Sequence, residues 1–248
     1  MGKYMRYMRT LAAIVLLLTG CGEDEKKSGI AVDCLKFATC ADCPPFEYYE
    51  SGNITGLDIE LARALAKKLG KTAIFKDMQF GAILVSVQNE IVDAAISAIE
   101  VTEERKKRCD FSDVYCKSKS ALVYKKGSVG TKLEQISKSK VAYQCGASGH
   151  LKLLQDKAPA AELVAVDNVN VAIESLKAGH VKYILIDSVP ARMFCEKNSD
   201  LEYSVVAEND GYVIMLKKGS ALRAKINTAL EELNAKGELE RLRTKYQQ

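Results

Sequence analysis

Tryptophan is absent from these 248 residues, and there are only 4 prolines, 2 histidines and 7% aromatic side chains. The lack of tryptophan and proline constrains the fold little; the other shortages exclude more. With two histidines (His150 and His180) and a single CxxC (Cys40 to Cys43) that has no partner CxxC, no metal-ligand spacing is legible, and no cofactor is expected. The charge balance is nearly even at +4, which gives no support for a nucleic-acid partner. Beyond the N-terminal leader, no apolar run is long enough to span a bilayer. Internal repeats are also lacking.

The leader has the parts of a secretory signal. Lys3, Arg6 and Arg9 precede an apolar stretch from Leu11 to Leu18, and Leu18-Thr19-Gly20-Cys21 follows. Small residues directly before a cysteine resemble the lipobox of bacterial lipoproteins. That resemblance implies a signal peptide over 1–20, lipidation of Cys21 and a membrane anchored through it. Residues 21–33, including GEDEKKSG, would be a polar tether. Removing 20 of 248 residues takes away three basic charges, so +4 becomes +1. Of 8 cysteines, Cys21 would carry lipid and seven would remain, too few for a disulfide scaffold and unable all to pair within one chain.

Strand-like and helix-like segments alternate along the rest. Leu57, Leu61, Leu65 and Leu69 recur at i+4 and Gly70 follows, which predicts an amphipathic helix. Strands are predicted at 35–39, 73–75, 94–97, 121–124, 140–144, 162–166, 183–186 and 212–216. Helices are predicted at 82–88, 148–155, 168–177 and from Ser220 onward, with a break at Gly237. Thr102, with Glu103 and Glu104 behind it, is a candidate N-cap that would project Arg105 one turn into a helix. Alternation of this kind predicts an α/β fold with mostly parallel sheets. Two such series suggest two lobes and two hinge crossovers: 34–120 and 212–248 in lobe 1, 121–211 in lobe 2. Ligand would bind between them, at the carboxyl ends of the strands.

Five stretches in this order resemble the polar amino-acid-binding proteins of bacterial ABC importers, solute-binding protein family 3. They are CPPFEYYESGNITGLDIELARALAKKLG (43–70), FGAILVSVQNEIVDAAISAIEVTEERKK (80–107), DFSDVY (110–115), VAYQCGASG (141–149) and LKAGHVKYILID (176–187). The resemblance runs from about Phe37 to Tyr246. It implies a two-lobed periplasmic-binding-protein type II fold (Venus flytrap) that captures a free amino acid and delivers it to a membrane permease. A monomer at the periplasmic or extracellular face is expected.

By position, Arg105 would take the ligand α-carboxylate with backbone amides around Ala147 and Ser148, and Asp187 the α-ammonium. Groups near Ser97 and Ala98 would complete that shell, and Phe80 would pack on the ligand side chain. Phe80 also fits a core position, and Asp187 also stands where it could cap a helix. At Cys40 the family often carries an acid or polar residue, and at Cys43 an aromatic, so the usual acid for a basic side chain is missing. Glu100 stands where small hydroxyl residues or Asp are common and could favour a cationic ligand. Gln144 could bond a polar side chain. Cys40 and Cys43 could be a local disulfide, two packed thiols, or contacts for a sulfur ligand. The choice between basic and neutral ligand stays open. Two other readings compete: a cyclohexadienyl-dehydratase-like enzyme on the same fold, for which Glu100 is the one nominee as acid or base, and a ligand-sensing domain.

Overall fold

The computed structural model describes residues 33–128, 132–136 and 138–247. The expected signal peptide, Cys21 and nearly all of the expected tether lie outside the described residues. Val32–Gln248 forms one compact unit.

The chain first builds β1 (Cys34–Thr39), the short β2 (Asp42–Cys43), β3 (Glu47–Glu50) and β4 (Asn53–Thr55), then α1 (Leu57–Lys68), β5 (Thr72–Asp77) and α2 (Phe80–Gln88). It continues with β6 (Ala94–Ala95), α3 (Glu103–Arg108) and β7 (Cys109–Phe111). A second series follows: β8 (Lys119–Lys125), β9 (Lys140–Gln144), α4 (Ser148–Lys157), β10 (Glu162–Val166), α5 (Val169–Ala178), β11 (Tyr183–Asp187), α6 (Ser188–Lys197) and β12 (Leu201–Glu208). The chain then returns through β13 (Met215–Lys217), α7 (Leu222–Ala235) and α8 (Glu238–Gln247).

Two five-stranded sheets result, ordered β5-β1-β6-β13-β7 and β10-β9-β11-β8-β12, with a small β2-β3-β4 sheet beside the first. Each large sheet is mixed. β1 runs parallel to β5 and β6, whereas the returning β13 pairs antiparallel with β6 and β7. In the other sheet β9 runs parallel to β10 and β11, whereas β8 pairs antiparallel with β11 and β12. This corrects the expectation of mostly parallel sheets. β8 and β13, the strands by which the chain enters each lobe from a hinge, run opposite to the strands joined by helical crossovers, whereas the leaving strands β7 and β12 run with them.

Each sheet carries helices on its apolar faces. α1 buries Leu57, Leu61, Ala62, Leu65 and Ala66 against Phe37, Ala94 and Ile214, and α7 adds Ile226, Leu230 and Leu233. The acids Asp58 and Glu60 open α1 and Lys67 and Lys68 close it, which suits the helix dipole. Gly56, just before α1, has φ +125°, and a Cβ there would lie 2.1 Å from the Phe46 carbonyl oxygen, so only glycine fits. In the second sheet, α5 presents Ala172, Ile173 and Leu176 to Ala121, Val123 and Ile184.

The two crossovers run side by side. Tyr212 N–H donates to Cys116 O (2.7 Å), Asn209 N–H to Ser118 O (3.2 Å), and Tyr115 N–H to Tyr212 O (2.9 Å). The cleft opens next to this pair of connections.

Candidate ligand-binding site

The N-cap expected at Thr102 is present: its hydroxyl accepts the Arg105 N–H at 3.3 Å. Arg105 is thereby aimed across the cleft. Its Nη1 donates to Glu100 O (2.7 Å), and its Nη2 donates to Gly146 O (3.0 Å) in the turn after β9. The guanidinium lies over the Phe80 ring, 5.5 Å from its centroid, and burial lowers its pKa. Phe80 is half-buried and lines the cleft, so it serves as floor for the arginine.

Asp187 ends β11 at the N-cap position of α6, yet its side chain makes no capping bond. Oδ1 accepts instead from Ser118 Oγ (3.2 Å) and Asn209 Nδ2 (3.0 Å), and His150 Nε2 stands 3.5 Å away. The carboxylate therefore faces the cleft. Asn209 Nδ2 also donates to Glu100 Oε1. Burial and the neighbouring Asp187 push Glu100 up to about 7, against the pull of His150 and Arg105. For His150 burial acts downward, but Asp187 and Glu100 outweigh it and raise its pKa.

Ser97 and Ala98 border the cleft, but their polar groups are committed inside lobe 1. Ser97 Oγ accepts Cys40 N–H (3.0 Å) and donates to Glu47 Oε1 (2.9 Å). Ala98, at φ +45°, gives its N–H to Asp58 Oδ2 (2.7 Å). Ala147 N–H and Ser148 N–H close the turn onto Gln144 O (3.0 Å) and Gly146 O (2.9 Å), and Ser148 Oγ meets Thr102 Oγ1 at 3.3 Å. The amides expected to face a carboxylate are thus spent on the turn in this arrangement.

The CxxC expectation changes most. Cys40 and Cys43 are free thiols; Cys43 lines the cleft, while Cys40 is buried behind it in the lobe 1 core. Cys40 Sγ donates to Asp42 Oδ1 (3.3 Å). A tight turn (Asp42 N–H to Cys40 O, 2.8 Å) swings Asp42 into the cleft. There Asp42 Oδ2 accepts from Gln144 Nε2 (3.2 Å) and from the Val169 N–H at the start of α5 (3.2 Å). So the cleft does hold an acid beside Gln144, two residues further along than the position where its absence was noted. Glu47 is a second one: it is fully buried, lines the same cavity, and its Oε2 has no hydrogen-bond partner. Burial, then Asp58, raises the Glu47 pKa well above the usual carboxylate range, and burial raises Asp42.

The cavity is lined by the strand ends of both sheets. Sequence reading missed Asp42, Glu47, His150 and Asn209. Only the scarcity of histidine and the acid inside CADC offered any signal.

Arg105 and Asp187, brought to one cavity from the two halves of the chain beside a double hinge, mark the layout of a two-lobed binding protein. The chain belongs to the bacterial extracellular solute-binding proteins, family 3, whose model matches residues 35–248. It is 34% identical over 241 residues to the arginine-binding extracellular protein ArtP of Bacillus subtilis (strain 168), covering 95% of this chain and 94% of ArtP. To the ABC transporter glutamine-binding protein GlnH of the same organism it is 29% identical, covering 94% of this chain and 92% of GlnH. Among solved structures, the substrate-binding protein AbpA from Streptococcus pneumoniae bound to L-arginine superposes with a TM-score of 0.78. It is 32% identical, over 84% of this chain and 92% of AbpA. The chain is accordingly a substrate-binding protein of the ABC amino-acid transport class.

Proposed function

We propose that this protein captures a cationic amino acid of the arginine type and hands it to a membrane permease. Asp42 carries the reading. It is an acid only 8% exposed, held toward the cleft by Gln144 and the Val169 amide, apart from the Arg105–Asp187 pair that serves the α-groups. A zwitterion leaving water needs each charge met by a fixed opposite one, and a cationic side chain needs one more. Asp42 supplies it. The names of ArtP and of arginine-bound AbpA support the same choice, whereas GlnH is named for glutamine, a neutral ligand.

We assign 34–120 and 212–248 to lobe 1 and 121–211 to lobe 2, with the first boundary set back to 117–118 so that β8 stays whole. Ligand would shift an open form toward one closed across contacts such as Arg105 to Gly146 and Thr102 to Ser148. The role is binding, not catalysis; Glu100, the nominee for an enzyme's acid or base, is tied to Asn209 beside Asp187. We also propose export by the leader, a lipid anchor at Cys21, and a monomer that meets its permease at the outer face of a membrane.

Calorimetric titration of residues 32–248, unfolded and refolded to strip bound ligand, tests this. Micromolar or tighter binding of arginine, weaker binding of glutamine, and loss of both in Arg105→Ala are expected. A folded protein that binds no amino acid refutes it.

A further inference from the structure

Glu100 is not needed by the amino-acid reading. One α-ammonium asks for one carboxylate, and Asp187 provides it; the site nevertheless holds a second carboxylate and an imidazole. Glu100, His150 and Asp187 offer ligand atoms that all lie within 4.8 Å of one another. His150 is buried, with a side chain only 9% exposed, and its Nε2 lacks a hydrogen-bond partner although it points at Asp187. A buried imidazole nitrogen that makes no hydrogen bond beside two carboxylates can, when neutral, offer its lone pair as a metal ligand.

We propose that Glu100, His150 and Asp187 form a binding site for a divalent transition-metal ion of the zinc type, completed when the lobes close. Imidazole nitrogen and carboxylate oxygens are the ligands this ion takes, at about 2.0–2.2 Å, so neighbouring donors of a tetrahedral site lie about 3.4 Å apart. His150 Nε2 and Asp187 Oδ1 stand at 3.5 Å. The supporting groups are also in place. Asn209 Nδ2 donates to both carboxylates, and its own Oδ1 accepts from Ser120 Oγ at 3.0 Å, which fixes the amide. Such partners orient metal ligands and set their affinity. Gly149 clears the space: a Cβ there would stand 2.7 Å from Glu100 Oε2. Glu100 follows β6 in the first sheet, whereas His150 sits on α4 and Asp187 ends β11 in the second, so three ligands meet only across a closed cleft. Charge agrees with this, since a divalent cation would relieve the mutual repulsion of the two acids. The fourth position faces the cleft, and the ion would compete with an α-ammonium for Asp187.

The experiment titrates Zn2+ into refolded, ligand-free residues 32–248 by calorimetry and follows Co2+ as an absorbing stand-in. It measures arginine binding by the wild type in EDTA alongside. One Zn2+ per chain, a tetrahedral Co2+ spectrum, and weaker Zn2+ binding in saturating arginine are expected. His150→Ala should weaken Zn2+ by more than about 100-fold, and Asn209→Ser by about 10–100-fold, the range for a partner that only orients ligands. Glu100→Gln, close in shape, serves if His150→Ala fails to fold, and should also lose the Co2+ spectrum. Zinc affinity unchanged in these folded variants, or no zinc binding at all, overturns the metal site. Arginine binding in EDTA without zinc binding overturns it while leaving the proposed transport role standing; zinc binding without arginine binding does the reverse.

Discussion

Replacing Asp42 by Asn removes one charge and little volume, and the structure states what should be lost. Asp42 is 8% exposed and already accepts from Val169 N–H and Gln144, so its carboxylate is oriented before ligand arrives. At about 4 Å and an effective dielectric near 20, a unit pair is worth about 4 kcal/mol. Truncating one partner of a buried charge pair costs about 2–5 kcal/mol. The expected loss in arginine affinity is therefore about 30- to 5,000-fold. Citrulline is the control, because it has nearly arginine's shape without its charge, and its affinity should change by less than about tenfold. The assay is parallel calorimetry of both ligands with wild type and Asp42→Asn, repeated at high salt to confirm that the pair is shielded from screening. An equal loss for arginine and citrulline would refute the reasoning, since it would mean that Asp42 shapes the pocket rather than reading charge.

Arg105→Ala should abolish binding of every α-amino acid alike, by about 2–5 kcal/mol or more, as read by the same titration. Asp58 gives a pH signature. It is fully buried beside Glu47 and Tyr115, and burial raises its pKa from 3.8 to about 6. The folded state thus holds the proton more tightly than the unfolded one, so this group favours folding below about pH 4 and loses that contribution as pH rises to about 6. The shift corresponds to about 3 kcal/mol, and Asp58→Asn should flatten that part of a stability-against-pH curve from urea melts. Phe46→Ala, which empties a fully buried site against Tyr212 (ring centroids 4.9 Å), should lower stability by about 3–5 kcal/mol in chemical denaturation.

Strong local signals were read well. β9 and β10 fall where the sequence placed them, α1 follows its leucine spacing, and Thr102 caps α3. The sheet from Asp42 to Thr55 was not legible because strands of two to four residues are too short to show a period. β7 is three residues long and was missed for the same reason. α6 shows in the sequence only as a cap position at Asp187, because Pro190, which a helix tolerates in its first turn, masks the rest. β6 ends at Ala95, earlier than expected, since Ser97 is drawn off to Glu47 and Cys40. Within the site, Arg105 and Asp187 came from motif position. Asp42 did not, because a one-residue turn decides which way its side chain faces. Nothing along the chain pairs His150 with another ligand; only the folding of α4 toward β11 brings it to Asp187.

Gly81 opens α2 in the first lobe, and Gly146 turns the chain after β9 in the second. A Cβ on Gly146, at φ +89°, would stand 2.7 Å from Gly81 Cα. Backbone therefore meets backbone where the lobes close. A methyl group at Gly146 would act as a doorstop. It would withhold the shut form and strain the turn whose carbonyl accepts from Arg105 Nη2, so the lost affinity would report closure and that turn together. A binding protein propped open in this way would separate what the permease recognises in a loaded partner: the amino acid it carries, or the shape it has taken.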